Sequence, residues 1–193
     1  MTRENVLRNQ LEIDEGDPYN SILAVKSINN IKSLNFFKDV TLDVVDLDGG
    51  FKEINISVTE KPTGEIMAGA GVGTSGATVA IGVKENNYLG KGIGLDANLT
   101  LTEDSIKGLF SVKNPNFKNS DKSISASVQA TELNKLTDFG YKSSKTGLSI
   151  GTEFEYYEDL NFGIGFNTFY ESLEADTTAS ARQKKQAGNY FDI

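Results

Sequence analysis

The sequence contains no histidine and no cysteine, and positive charge is in the minority. Without those two residue types, imidazole bases, thiol nucleophiles, zinc sites and disulfide bonds are all excluded. The formal net charge is −8 and lysine and arginine form no long run, so we expect no nucleic-acid partner. We also expect no cofactor and no metal.

Long apolar runs are also missing. No stretch approaches the roughly 18 residues of a membrane-spanning helix, and no apolar segment of the kind found in signal peptides follows the first four residues. A membrane β-barrel also lacks long apolar runs, because its strands alternate between two faces and carry a weak hydropathy signal.

The stretch 71–76, GVGTSG, fits the G-x-G-x-x-G pattern of dinucleotide-binding loops. That fingerprint requires a strand before it and a helix after it. The residues that follow, ATVAIGVKENNY, alternate with a period of two and present no helical face. We therefore interpret residues 73–76 as a hairpin turn in which glycine supplies positive φ angles.

Residues 1–61 have the pattern helix, helix, strand, strand. Thr2 is a candidate cap for a short helix that carries Val6, Leu7 and Leu11, and Asn20 is a candidate cap for a second helix that ends near Asn35. Two alternating segments follow, with these apolar residues predicted to face the core: Val40, Leu42, Val44, Ile54, Ile56 and Val58.

Beyond Pro62 the period is two almost throughout, and it predicts seven strands with the start of an eighth at 187–193. One face is apolar, and seven of its residues mark it: Leu95, Leu99, Phe110, Phe154, Phe162, Ile164 and Phe166. The opposite face is polar or charged, marked by Lys84, Asp96, Lys107, Lys113, Glu153 and Glu155. Glu153 and Glu155 are the best pair of carboxylates for an enzyme. Their place on a polar strand face favours a water-exposed surface over a catalytic pair.

The connections alternate between short and long. Segments 89–92 and 157–160 are tight, whereas 133–145 and the chain from 172 onward are predicted to be long polar loops. Strands of about ten residues with short turns on one side and long loops on the other are typical of an outer-membrane barrel. An antiparallel sandwich with one wet face is the alternative.

Four glycines, Gly64, Gly69, Gly71 and Gly73, lie in the first of these strands, next to Ile66. Glycine weakens a strand interior. One interpretation is close packing against a bulky neighbour or a bend; the other is a weakly held strand whose edge pairs with another chain.

Six ordered segments resemble the BamA-type outer-membrane protein assembly factors: EGDPYN (15–20), LNFFKDV (34–40), VTEKPTG (58–64), GAGVGTSG (69–76), NNYLGKG (86–92) and VKNPNF (112–117). The resemblance covers essentially the whole chain. It implies an α+β POTRA domain at 1–61 that lacks its first strand, followed at 62–193 by the antiparallel N-terminal portion of a transmembrane β-barrel. The family's later loop motif and C-terminal strand are missing, so the resemblance implies a fragment.

The resemblance also implies a role. Strand 64–73 would form one side of a lateral gate, the polar marker residues would face the lumen and the apolar ones the lipid. Implied partners are unfolded outer-membrane protein precursors, outer-membrane lipid and accessory assembly lipoproteins, with residues 1–61 in the periplasm and no enzymatic activity. The alternatives are a protein-translocating transporter of the same superfamily (two-partner secretion type), a simple porin-like barrel and a soluble sandwich.

Overall fold

The structure, a computed structural model, describes residues 1–73, 76–157 and 160–193. Residues 1–60 form two helices and a two-stranded antiparallel sheet: α1 (Glu4–Arg8), α2 (Ser21–Ser33), β1 (Phe37–Asp46) and β2 (Lys52–Glu60). The predicted order of helix, helix, strand, strand is confirmed.

Helix α2 begins where the sequence predicts, because the side chain of Asn20 accepts a hydrogen bond from the backbone N–H of Ile22 at 2.9 Å. The predicted cap at Thr2 is wrong. Helix α1 starts after Arg3 without a side-chain cap, and Thr2 instead contacts the second part of the chain. Leu11 lies beyond the end of α1, although it still packs on the core.

The core of this first part is a single cluster. Ile31 is fully buried, and the other members come from the helices, from β1 and from the link between α2 and β1: Val6, Ile28, Phe36, Phe37 and Val40. Leu42, Ile56 and Val58 pack against it from the sheet, as their alternation predicts. Among the described residues, almost every buried apolar side chain belongs to this part of the chain, and Ala179 is the exception.

The second part is one antiparallel sheet of eight strands in sequential order: β3 (Gly64–Gly73), β4 (Gly76–Tyr88), β5 (Ile93–Thr102), β6 (Ser105–Asn114), β7 (Lys122–Lys135), β8 (Tyr141–Tyr157), β9 (Leu160–Ala175) and β10 (Gly188–Asp192). β10 is the predicted start of an eighth strand. No second sheet packs on this one within the described residues, so the sandwich alternative is wrong. The sheet is open, with β3 and β10 at its two edges, as expected of an incomplete barrel.

The predicted long loops are wrong in extent. β7 runs to Lys135 and β8 starts at Tyr141, so a single helical turn, α3 (Leu136–Phe139), connects them. β9 continues to Ala175 before α4 (Ala181–Gln186). Polar residues here are paired across strands; Lys142 and Glu132, for example, form an ion pair at 2.9 Å.

Two predicted turns fall partly outside the described residues. The turn at 73–76 includes Thr74 and Ser75, and the turn at 157–160 includes Glu158 and Asp159. The segment after the first of them is strand β4, which confirms that no helix follows the glycine motif.

Within the described ranges, none of the helices has the length and apolarity needed to cross a membrane.

Candidate functional site at the sheet edge

Strand β3 is exposed along its whole length. It pairs with β4 along its whole length, from Gly64 opposite Glu85 to Gly73 opposite Gly76, and it is an edge strand of the sheet. All ten of its residues are exposed, with Ile66 at 86% and Val72 at 89%. An edge of this kind presents a row of backbone N–H and C=O groups that another strand can pair with.

The glycines of β3 do not make room for neighbours. Among the described residues, chain neighbours apart, a Cβ atom at Gly69, Gly71 or Gly73 would meet no atom within 4 Å, so no described side chain packs closely against these three positions. Gly64 differs, because a Cβ there would lie 3.0 Å from a carboxylate oxygen of Glu85. The strand therefore has few side-chain contacts where its glycines alternate.

The register places the predicted apolar residues on one common face. Leu99 stands between Ile81 and Gly108, and Phe154 stands opposite Phe162, with ring centroids 5.6 Å apart. Leu95, Phe110, Ile164 and Phe166 follow on the same face. Half or more of Phe162, Ile164 and Phe166 is exposed, at 50%, 60% and 51%. No layer of described residues covers these side chains.

The register places the predicted polar residues on the opposite face. Lys84 is directly opposite Asp96, and Lys113 is opposite Ser125. Lys107, Glu153 and Glu155 fall on this same face. It carries a shallow furrow of about 290 Å³ lined by Lys113, Glu153 and small residues of β7–β9. Among the described residues, no group of three or more acidic side chains could hold a metal ion.

A second contact region joins the base of β3 to the neighbouring strand. The Glu85 carboxylate accepts hydrogen bonds from the Thr63 hydroxyl at 2.5 Å and from the backbone N–H of Asn87 at 2.7 Å. Glu85 lies on the apolar face, beside Leu95. Hydrogen bonds at that position are needed, since an unpaired carboxylate near an apolar surface is costly.

These partners were not predicted individually. Thr63 lies in VTEKPTG, and Glu85 directly precedes NNYLGKG, which contains Asn87. Because 22 residues separate Thr63 from Glu85, neither period nor spacing indicates that they touch.

Three comparisons with known proteins bear on this arrangement. The family model described as POTRA, surface antigen variable number repeat, matches residues 1–61. The chain is 26% identical over 172 residues to the outer membrane protein assembly factor BamA of Neisseria meningitidis serogroup B, covering 84% of this chain and 22% of that protein. It is 25% identical over 191 residues to the protein of the same name from Neorickettsia risticii, covering 97% of this chain and 26% of that protein. The chain thus spans about a quarter of the length of these relatives.

Solved structures share the fold. A crystal structure of BamA from Haemophilus ducreyi lacking POTRA domains 1–3 superposes with a TM-score of 0.75 at 21% identity, covering 90% of this chain and 34% of that one. CdiB from Acinetobacter baumannii gives a TM-score of 0.56 at 10% identity, covering 90% of this chain and 36% of that one. With the POTRA match and the open sheet, these findings support a BamA-type chain, in which a periplasmic POTRA segment leads into the first strands of an outer-membrane β-barrel.

Proposed function

We propose that the chain is part of an outer-membrane protein assembly factor in which β3 forms one side of a lateral gate. Residues 1–61 act as the POTRA domain and residues 62–193 as the N-terminal portion of the barrel. A client strand would pair with the free edge of β3 and be templated there, as other recognition strands add to sheet edges. The name of the two relatives, assembly factor, supports this assignment.

One observation carries the proposal: a fully exposed edge strand in which a Cβ atom at any of three glycines would meet no described atom within 4 Å. Cross-strand side-chain pairs stabilise a sheet, and glycine contributes none. Each interior glycine also costs roughly 0.5–1 kcal/mol relative to alanine. A seam formed by this strand would therefore open at low cost.

The two faces of the sheet have separate roles in this proposal. The face of Phe162 and Ile164 contacts lipid, and the face of Lys84 and Asp96 lines the lumen. The exposed apolar side chains support this, because a face without a protein layer is stable only in hydrocarbon. The activity makes and breaks no covalent bond, so we assign no catalytic residue.

The POTRA domain would receive unfolded precursors before they reach the gate. Strand β1 pairs with β2 along one side. The other edge of β1 offers a place for a precursor segment to add as a strand. Accessory lipoproteins would bind elsewhere on the complete protein.

A second candidate is a protein-translocating transporter of the same superfamily. The shared fold with CdiB favours it, although the TM-score is lower than that for BamA, 0.56 against 0.75. In a transporter the passenger leaves through the lumen, so an opening seam is not required.

Locking the seam tests the gate. The full-length protein would carry Gly71→Cys and a second cysteine on its last strand, so that oxidation joins the two. We expect assembled client barrels to disappear on oxidation and to return on reduction. The matched control is Gly108→Cys, another glycine with open space around it but in a central strand. Normal client assembly by the locked protein would refute the gate and favour the transporter.

A further inference from the structure

The first residues of the chain are held by the turn between β4 and β5. The backbone N–H of Arg3 donates to the carbonyl of Gly90 at 2.8 Å, and the Asn87 amide donates to the Thr2 hydroxyl at 2.8 Å. The Asn87 carbonyl oxygen in turn accepts from the N–H of Gly92 at 2.7 Å, which fixes the turn. The POTRA segment therefore contacts the barrel sheet away from its covalent connection.

The glycines of this turn permit the contact. Gly90 and Gly92 have φ angles of +69° and +68°, which other residues adopt rarely. A Cβ at Gly90 would overlap the carbonyl of Met1, and one at Gly92 would lie 3.3 Å from the buried side chain of Val6. This accounts for the two glycines of the turn.

The covalent connection between the POTRA segment and β3 is hydrogen-bonded to β4 close to this turn. Thr63 donates its hydroxyl to Glu85, and the carbonyl of Thr63 accepts from the backbone N–H of Asn86 at 3.2 Å. Gly64, the first residue of β3, is directly opposite Glu85. We call Thr2, Arg3, Thr63, Glu85, Asn87 and Gly90 together the clasp.

Among the described residues, no side-chain hydrogen bond fastens the other end of β3 in this way. A Cβ atom at Gly69, Gly71 or Gly73 would meet no described atom within 4 Å, and Val72 is 89% exposed. One strand thus combines an end joined to two structural units with an end that pairs with β4 and alternates glycine with small or exposed apolar residues.

We propose that the clasp makes the POTRA domain and the first residues of β3 one mechanical unit, so that the strand yields from its far end while its periplasmic end stays in place. This rests on the proposed role of β3 as a gate. A client strand would then begin pairing in a fixed register at Gly64, while the rest of β3 could deform. Movement of the POTRA domain would move the base of the gate with it.

Hydrogen exchange of the full-length protein in detergent micelles tests the inference. We expect amides at 64–67 to exchange more slowly than those at 69–73. In Thr63→Val and Asn87→Ala, exchange at 64–67 should rise roughly three- to tenfold, about the effect of one lost hydrogen bond on an opening equilibrium. The matched control, Thr78→Val on β4 opposite Gly71, should leave 64–67 unchanged.

A distance measurement supplies a second readout. Spin labels at Asn29 on α2 and Lys122 at the periplasmic end of β7, both exposed, report the position of the POTRA domain. Their distance distribution should broaden in Asn87→Ala and stay narrow in the control. Uniform exchange along β3 in the unmodified protein, or no response to either clasp variant, would overturn the inference. Exchange is measured without clients, so the two proposals can fail separately. Slower exchange at 64–67 than at 69–73 in a protein that does not assemble clients would refute the proposed function and still support the clasp.

Discussion

Gly64 stands directly opposite Glu85 in the β3–β4 ladder, and a Cβ at Gly64 would lie 3.0 Å from a carboxylate oxygen of Glu85. A side chain at this glycine would displace a carboxylate that Thr63 and Asn87 already hold. The same change farther along the strand meets open space.

Gly64→Ala and Gly71→Ala should therefore change stability in opposite directions. We expect Gly64→Ala to lower the free energy of unfolding by about 1 kcal/mol, the net worth of one hydrogen bond. Gly71→Ala should raise it by roughly 0.5–1 kcal/mol, because alanine loses less entropy in a strand. Urea unfolding of the full-length protein in lipid vesicles measures both, and equal effects would contradict the contrast.

Charge on the two faces should be tolerated unequally. Phe162→Arg or Ile164→Arg places a cation on the proposed lipid face and should cost about 2–4 kcal/mol near the bilayer midplane. Asn161→Arg and Asn167→Arg, on the opposite face of the same strand, should have little effect. Vesicle-based unfolding gives the values. If the asparagine positions were the intolerant ones, the two faces of the sheet would have to be exchanged.

Valine at Gly69, Gly71 and Gly73 together should stabilise the seam without preventing folding. A Cβ atom at each position would meet no described atom within 4 Å, so we expect the added methyl groups to bring β propensity and cross-strand contact. We expect slower client assembly by a barrel with normal heat-modifiable gel mobility, whereas Gly108→Val in a central strand should leave assembly unchanged. A misfolded triple variant would show that the glycines are needed for packing.

Labelling of intact cells should report the topology of the turns. Lys135 is engaged with Asp104, so the exposed neighbour Thr137 is the better position for a cysteine at the far end. An impermeant thiol reagent should label Thr137→Cys and not Lys91→Cys, which lies in the β4–β5 turn beside the POTRA segment. Equal labelling would refute the assignment of the two ends.

Acid should loosen the N-terminal segment. The Thr2 backbone N–H and side chain hydrogen-bond Glu60 and hold the pKa of its carboxyl below 4.5, its usual value. A lowered folded-state pKa means that the contact stabilises the segment above about pH 4.5 and is lost as the pH falls through the folded-state pKa. Amide exchange at 2–6, corrected for its intrinsic pH dependence, should rise below pH 4.5 in the unmodified protein and show no such step in Glu60→Gln.

The sequence predicts the sheet well wherever one face is apolar. From Ile66 to Tyr170 the alternation identifies each strand, and in the first part of the chain it also identifies the inward residues of β1 and β2. It fails at the far ends of β7, β8 and β9. Both faces contact water there, so polar residues such as Lys142 and Glu132 give no alternating pattern and the sequence predicts a loop. In the structure, their ion pair and the backbone ladder continue the strands.

The clasp could not be predicted for a different reason. Its contacts join Thr2 to Asn87 and Thr63 to Glu85, and a pattern read along the chain contains only local periods. Thr2 shows the problem directly: its position before α1 suggests a helix cap, but its hydroxyl is engaged by Asn87 from the β4–β5 turn instead.

The unequal lengths of the strands shape the mouth of the barrel. β3 has 10 residues and β8 has 17, so at about 3.3 Å per residue they extend about 33 Å and 56 Å. A tilted strand of roughly 9–11 residues already crosses a bilayer, so β3 stops near the membrane surface while β8 rises well above it. The rim is therefore uneven, low beside β3 and high around β8. If the proposed function holds, a polypeptide that leaves beside β3 would meet lipid headgroups at once, whereas one that leaves toward β8 would be screened from the membrane surface by a protein wall.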